Sequence, residues 1–210
     1  MTQGNRLLII FTRNPVQGRV KTRLAAVTGD ETALKVYRAL REHTASAAKA
    51  SHAQRAVFYS DYLPDKDCFL DGKTLAFLQT GNNLGERMLH AFETAFSLPF
   101  RHAVLIGTDC PDLHAGLIDQ AFSVLERSDA VIGPAKDGGF YLIGLKRSYP
   151  DVFLNRTWSH SSVLKETIRR LGKSRASFEL LPELQDIDTF EDLQQSRYGY
   201  PGKHHHTNFQ

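Results

Sequence analysis

The run Asn14-Pro15-Val16-Gln17-Gly18-Arg19-Val20-Lys21-Thr22-Arg23-Leu24 follows directly on the apolar stretch Leu7-Leu8-Ile9-Ile10-Phe11. A strand that empties into a loop punctuated by Pro and Gly presents backbone N–H groups at its carboxyl end, where open α/β sheets bind ligands. Arg13, Arg19, Lys21 and Arg23 bring cations to the same place, and Gly18 lets the backbone turn among them. Exposed N–H groups favour anions, and the forked donors of arginine match phosphate oxygens. The segment reads as a phosphate-binding loop for a nucleotide or a sugar phosphate, with Lys21 also placed to act in catalysis. It has neither the Gly-x-Gly-x-x-Gly order of a dinucleotide fingerprint nor a glycine before Lys21-Thr22, as a P-loop would require. Basic residues in a loop are also often plain solvated charge, and the loop alone does not separate the two readings.

Carboxylates recur at positions that suit a hard cation. Thr108-Asp109-Cys110-Pro111-Asp112 comes straight after the apolar Ala103-Val-Leu-Ile-Gly107, so Asp109 emerges at the same sheet edge as the basic loop. Mg²⁺ or Mn²⁺ prefers oxygen ligands and is commonly held by one or two carboxylates plus substrate phosphates. Asp109 is the stronger candidate, because Asp112 is equally suited to capping the helix that follows. In Asp186-Ile187-Asp188-Thr189, either Asp188 or Thr189 can cap a short helix beginning near Phe190, or Asp188 can give the metal a second carboxylate.

Pro134-Ala-Lys-Asp-Gly-Gly-Phe-Tyr141 combines a turn-forming acid with paired glycines. It reads as a hairpin turn, as a ligand loop in which Gly138 and Gly139 approach the ligand and Asp137 takes a proton from an acceptor hydroxyl, or as both. Gly81-Asn-Asn-Leu-Gly-Glu-Arg-Met88 opens a helix after a strand, with Gly85 and Arg87 as candidate nucleotide contacts; Arg87 could instead pair along the helix surface. His160, beside Trp158, is the histidine placed to meet an acceptor.

The elements that must carry these groups alternate between strand and helix. Apolar runs at 7–11, 55–60, 75–79, 103–107, 130–133 and 140–144 read as strands, and that at 103–107 is apolar throughout, as a strand buried on both faces should be. Helical spacing extends from Asp30 to about Ser51, from Leu84 to Ser97, from 116 to 127 and from 161 to 171, with a returning segment at 180–185. This alternation predicts one α/β sandwich. A chain of 210 residues, 41% hydrophobic and 23% charged, is ordinary for one globular domain, taken here as 1–198, with 199–210 as a disordered tail that includes His204-His205-His206.

The net charge of +3 is unevenly spread: residues 1–55 hold ten Lys/Arg against three Asp/Glu, and the remainder is net acidic by four. Without a polybasic tail or a cationic helix stripe, this favours a small phosphorylated ligand over nucleic acid. Two unpaired cysteines, and no apolar stretch approaching the roughly 18 residues a membrane span needs, fit a cytoplasmic protein.

Taken together, Pro15 to Leu24, Leu84-Gly-Glu-Arg-Met88, Ile106-Gly-Thr-Asp-Cys-Pro-Asp112, Gly133 to Gly139, Trp158-Ser159 and Asp186 to Leu193 resemble a bacterial family of glycosyltransferase-like proteins of the DUF2064 type. That family is related to the GT-A fold and to small nucleotidyltransferases. The resemblance covers nearly the whole chain, with Cys110 standing where the family usually has Ser, His160 where it has Thr, and Arg19 where Lys is frequent. It implies a nucleotide-diphospho-sugar transferase-like α/β/α sandwich with a mostly parallel central sheet, phosphates on the basic loop, a divalent metal on Asp109, and Asp188 as its second ligand by analogy with nucleotidyltransferases. The first expectation is sugar transfer from a nucleotide-sugar donor to an unknown acceptor. The alternative is nucleotidyl transfer from an NTP to a phosphorylated acceptor with release of pyrophosphate, and a third reading is a non-catalytic nucleotide-binding module.

Overall fold

The computed structural model describes residues 5–198; the tail expected over 199–210 lies outside them. In chain order the elements are β1 (Arg6–Thr12), α1 (Thr22–Thr28), α2 (Asp30–Ala50), β2 (Gln54–Tyr59), β3 (Leu75–Leu78), α3 (Leu84–Ser97), β4 (His102–Ile106), α4 (Ala115–Val124), β5 (Ala130–Pro134), β6 (Phe140–Leu145), α5 (Pro150–Phe153), α6 (Val163–Lys173), β7 (Phe178–Leu180) and α7 (Phe190–Gln195). The strands form one seven-stranded sheet in the order β3-β2-β1-β4-β6-β5-β7. The sheet is parallel except for β6, which runs antiparallel to both β4 and β5.

Alternation along each strand sends neighbouring side chains to opposite faces. Leu8 and Ile10 of β1 join Val57, Val104 and Ile106 in the core beneath α2 and α4. Leu7 and Ile9 join Phe58, Ala103 and Leu105 in the core beneath α3, α5 and α6. The central strands are therefore apolar on both sides, and the molecule is the expected α/β/α sandwich with a mostly parallel sheet. No helix among the described residues is long and apolar enough to cross a membrane.

The connections place the functional edge. From β1 the chain leaves over one face by way of α2 to reach β2, and from β3 it returns over the other face by way of α3 to reach β4. The strand order thus reverses between β1 and β4, which opens a crevice at their carboxyl ends. The segments after β1 and after β4 are those singled out for Arg13 to Arg23 and for Asp109. Within the basic run, α1 was not anticipated: its one buried residue is Leu24, too little periodicity to read as a helix. Gly29, at φ 82°, separates α1 from α2, whose first turn carries Asp30 and Glu31 and whose last carries Lys49, in keeping with the helix dipole.

Beneath the crevice runs a buried polar chain. The Arg41 guanidinium of α2 donates to Asp67 at 2.7 Å and to the Thr12 hydroxyl at 3.1 Å, and Asp67 also accepts from the Tyr59 hydroxyl at 3.0 Å. The side chains of Arg41 and Asp67 are only 5% and 7% exposed, so removing one partner strands the other's charge out of water. Asp67→Ala is expected to cost about 3–5 kcal/mol of unfolding free energy in denaturant titration.

Candidate functional site

Lys21 is the N-cap residue of α1 and stands in the left-handed region, at φ 49° and ψ 45°, a conformation that costs a non-glycine residue on the order of 1 kcal/mol or more. Its side chain turns inward to a position 4% exposed, where Nζ meets Asp109 Oδ1 at 2.5 Å and Asp188 Oδ1 at 2.9 Å. Burial alone would lower the lysine's affinity for its proton, but Asp109 and then Asp188 reverse this and hold it well above the ordinary lysine range. The ammonium is charged at any physiological pH.

The two carboxylates arrive from distant segments and are fixed by backbone. Asp109 follows β4, and its carbonyl accepts a 2.9 Å hydrogen bond from the N–H of Ile187. Ile187 is fully buried against Leu24, Ala33, Leu40 and Leu193, so it anchors the 186–188 segment between α1, α2 and α7. In extended chain, positions i and i+2 share a side; Asp186 and Asp188 accordingly both line the cleft while Ile187 points away. Thr189 takes the capping role at α7, accepting from Asp192 N–H in a capping box, which leaves Asp188 free to meet Lys21.

Asp186 was not among the expected site residues. Its Oδ1 is buried without a hydrogen-bond partner. Burial first, then Asp109, push its pKa up to about 8 against the opposing pull of Lys21. The spacing Asp-x-Asp in an extended segment was the signal available for it. Tyr37 stands on the buried face of α2. Its hydroxyl accepts from Arg13 N–H at 2.9 Å, lies 3.2 Å from the Thr12 hydroxyl and 3.4 Å from that of Thr108, and so ties the exit of β1 to the exit of β4.

These groups line a cleft of about 830 Å³, large enough for a nucleotide with part of an acceptor. Arg13, Arg19 and Arg23 are exposed along it, and none of the three guanidiniums has a hydrogen-bond or ion-pair partner among the described residues. Arg87 also lines it, with Nε held by the carbonyl of Gly81 at 3.0 Å. Gln79 stands beside them, its amide donating to the carbonyls of Thr12 and Phe58. Across the cleft lie Asp137, Gly139, Phe140, Trp158 and His160.

Three of the glycines expected at the ligand sit behind this lining. A Cβ on Gly85 would fall 2.2 Å from the Phe153 carbonyl and 2.5 Å from Trp158 Nε1; its smallness lets the 153–158 segment pack on α3. Gly138, at φ +87°, passes so close to the Ser161 carbonyl that a Cβ would lie 2.0 Å from it, and its own carbonyl accepts from Leu164 N–H. Gly18, at φ +75°, turns the loop beside Asp30. Asp137 Oδ1 accepts from Gly139 N–H at 2.8 Å within the turn joining antiparallel β5 and β6, so the hairpin reading holds and one oxygen of the proposed base is engaged. Both ring nitrogens of His160 are taken up locally, by the Thr157 carbonyl and by Ser162 N–H. Asp112 faces Arg197 instead of the cleft.

The wall opposite the basic loop is stiffened by Arg156, which donates to the carbonyls of Val152 and Val163 and stacks 4.4 Å from the Trp158 ring centroid. Trp158 meets Phe140 edge-on at 6.3 Å, giving this wall an aromatic surface.

Among the described residues no three His, Cys, Asp or Glu side chains converge to hold a metal by themselves. The pair Asp109 and Asp188, drawn together on one lysine nitrogen and roughly half exposed, does fit a hard cation that completes its shell with oxygens from a bound ligand.

The fold and cleft together define a class, that of transferase enzymes on the nucleotide-diphospho-sugar transferase-like fold. The chain belongs to the family described as an uncharacterized protein conserved in bacteria, DUF2064, whose model matches residues 43–160. A crystal structure from Desulfovibrio desulfuricans G20, provisionally assigned as a nucleotide-diphospho-sugar transferase, is 34% identical and superposes with a TM-score of 0.85 over 92% of this chain and 86% of that one. The fold is shared with 4-diphosphocytidyl-2C-methyl-D-erythritol synthase from Anaerococcus prevotii DSM 20548, at 10% identity and a TM-score of 0.57 over 91% and 95% of the two chains. It is shared too with the inositol-1-phosphate CTP transferase from T. maritima, at 12% identity and a TM-score of 0.56 over 93% and 94%. No curated protein sequence matches the chain.

A buried carboxyl with a raised pKa keeps its proton in the folded state after the unfolded chain has lost it. Asp186 thus contributes stability that is full below about pH 4 and is lost as pH rises through about 8. Asp186→Asn is expected to melt increasingly above the wild type between pH 4 and 8 in thermal scans, the gap levelling off beyond. Tyr37→Phe is expected to cost about 1–2 kcal/mol of stability, because it leaves the buried Thr12 and Thr108 hydroxyls and the Arg13 N–H short of a partner; chemical denaturation measures it.

Proposed function

We propose that this transferase catalyses nucleotidyl transfer: an oxygen of a phosphorylated acceptor attacks the α-phosphorus of an NTP, the bond from that phosphorus to the bridging oxygen of the β-phosphate breaks, and pyrophosphate leaves. The observation that carries this reading is the set of three guanidiniums without a partner among the described residues, Arg13, Arg19 and Arg23, on the basic segment around Lys21. Three arginine forks facing one cleft present planar paired donors that match phosphate oxygens, and three with a lysine suit a triphosphate better than a diphosphate.

In this scheme the arginines hold the β- and γ-phosphates and offset the charge that accumulates on the leaving pyrophosphate. Lys21, charged and central, serves the reacting phosphate. The Tyr37 hydroxyl keeps the loop after β1 in register with β4, so that phosphate ligands and carboxylates face the same point. Asp109 and Asp188 would hold a divalent ion, which when bound supplies Lewis-acid stabilisation of phosphoryl oxygens. The wall of Phe140, Trp158 and His160 receives the acceptor. A phosphate acceptor is already ionised at neutral pH, so Asp137, with one oxygen engaged in its turn, orients the acceptor and is not required as a base.

A second reading is sugar transfer from a nucleotide-sugar donor, favoured by the 34% identity to the chain provisionally assigned as a nucleotide-diphospho-sugar transferase. There Asp137 would take the proton of an acceptor hydroxyl. Binding without catalysis, the third reading, leaves Asp109 and Asp188 with a structural role alone, as the ion partners of Lys21.

Incubation with each NTP, Mg²⁺ and a panel of sugar and polyol phosphates is expected to release pyrophosphate from one NTP only. Release of NDP from a nucleotide-sugar without any pyrophosphate from an NTP would turn the assignment to the second reading. Arg19→Ala and Arg23→Ala are each expected to lower kcat/KM for the NTP by about tenfold or more, the worth of a hydrogen bond to a charged group.

A further inference from the structure

We propose that Lys21 is the resident cation of the cleft: its ammonium occupies the place between Asp109 and Asp188 that a divalent ion takes in the working enzyme, so that metal entry and lysine release are a single exchange. This rests on the reading of Asp109 and Asp188 as the metal-holding pair, and assigns the lysine a binding role which that reading leaves open.

Three observations support the exchange. One nitrogen contacts both carboxylates, at 2.5 and 2.9 Å, so any second cation between them meets the ammonium directly. The carboxylates are 40% and 47% exposed while Lys21 is 4% exposed, so an ion from solvent reaches the acids without unfolding the loop, and the lysine must yield to it. Asp186, beside the pair and lining the same cleft, has a buried Oδ1 with no hydrogen-bond partner among the described residues, an oxygen that the lysine does not reach. The lysine side chain suits this office: a compact charge on a flexible four-carbon stem can leave one set of oxygens for another, from carboxylates to the phosphates that Arg19 and Arg23 gather on either side of it.

The exchange makes the free protein a poor metal binder and predicts that removing the lysine improves it. Mn²⁺ binding to the full chain without nucleotide, followed by the loss of the free-ion electron paramagnetic resonance signal, is the measurement. Lys21→Met is expected to tighten Mn²⁺ by on the order of tenfold or more, since a unit charge in van der Waals contact with the site is removed. Lys21→Arg, which keeps the charge, is expected to stay as weak as the wild type. Asp109→Asn is expected to abolish the tightening in the Lys21→Met background. If Lys21→Met is unstable without metal, Mn²⁺ should raise its melting temperature by more than it raises that of the wild type.

Unchanged or weaker Mn²⁺ binding by Lys21→Met, or a melting temperature that Mn²⁺ does not raise beyond the wild-type shift, overturns the exchange. Where Lys21→Met fails in this way but Asp109→Asn still weakens Mn²⁺ binding, the exchange alone fails and the metal-holding pair stands. If Asp109→Asn binds Mn²⁺ as tightly as the wild type, the metal-holding pair fails too.

Discussion

The cleft depends on an ion triad that closes a loop through the whole chain. Lys21 comes from the first tenth of the sequence, Asp109 from the middle and Asp188 from the end, and one ammonium joins all three. Each carboxylate on its own would repel the other at this distance, and the buried lysine on its own would be pushed to give up its proton. Together they satisfy one another, and the left-handed turn at Lys21 is held because two acids need a cation at that point. The basic loop, the Asp109 turn and the 186–188 segment are therefore mutually conditioned.

The fold was legible because its signals are local. A strand apolar throughout, such as 103–107, and helices with one apolar stripe announce a sheet covered on both faces; α1 apart, the elements from β1 to β4 appear within a residue or two of their expected ends, while α4 stops at Val124, three residues short. The short α5 has no counterpart in the expected elements, and β7 lies at Phe178–Leu180, ahead of the returning segment expected over 180–185; two further features escaped for physical reasons. The helix α1 buries one residue, Leu24, and owes its existence to packing against Ile187 and Leu193, some 165 positions away. The reversal of β6 follows from the Asp137-Gly138 turn, which could be read as a hairpin or as a ligand loop; the structure makes it a hairpin whose far side lines the cleft.

The site was legible in its charges and less so in its glycines. Arg13, Arg19, Lys21, Arg23, Arg87, Asp109, Asp137, Gly139 and Asp188 all line one cleft, because chemistry at the carboxyl edge of a parallel sheet follows from strand position alone. Gly18, Gly85 and Gly138 answer to backbone turns and to close packing against Asp30, Phe153, Trp158 and Ser161, and pattern cannot tell a glycine that admits a ligand from one that admits a neighbouring chain segment. Tyr37 and Asp186 were hidden for the opposite reason: each sits where an apolar residue or a helix cap would look the same in sequence.

The anchoring of Ile187 also bears on how the molecule is made. The basic loop, β1 and β4 are synthesised well before the segment that closes the cleft, and a domain folds as a unit only once its segments are present. Until residues 186–193 arrive, the apolar floor of α1 is uncovered and the N–H that fixes Asp109 is missing. The meeting of Lys21 with Asp109 and Asp188 thus needs residues 186–193, and a product shortened before Ile187 would keep the seven strands while lacking that triad.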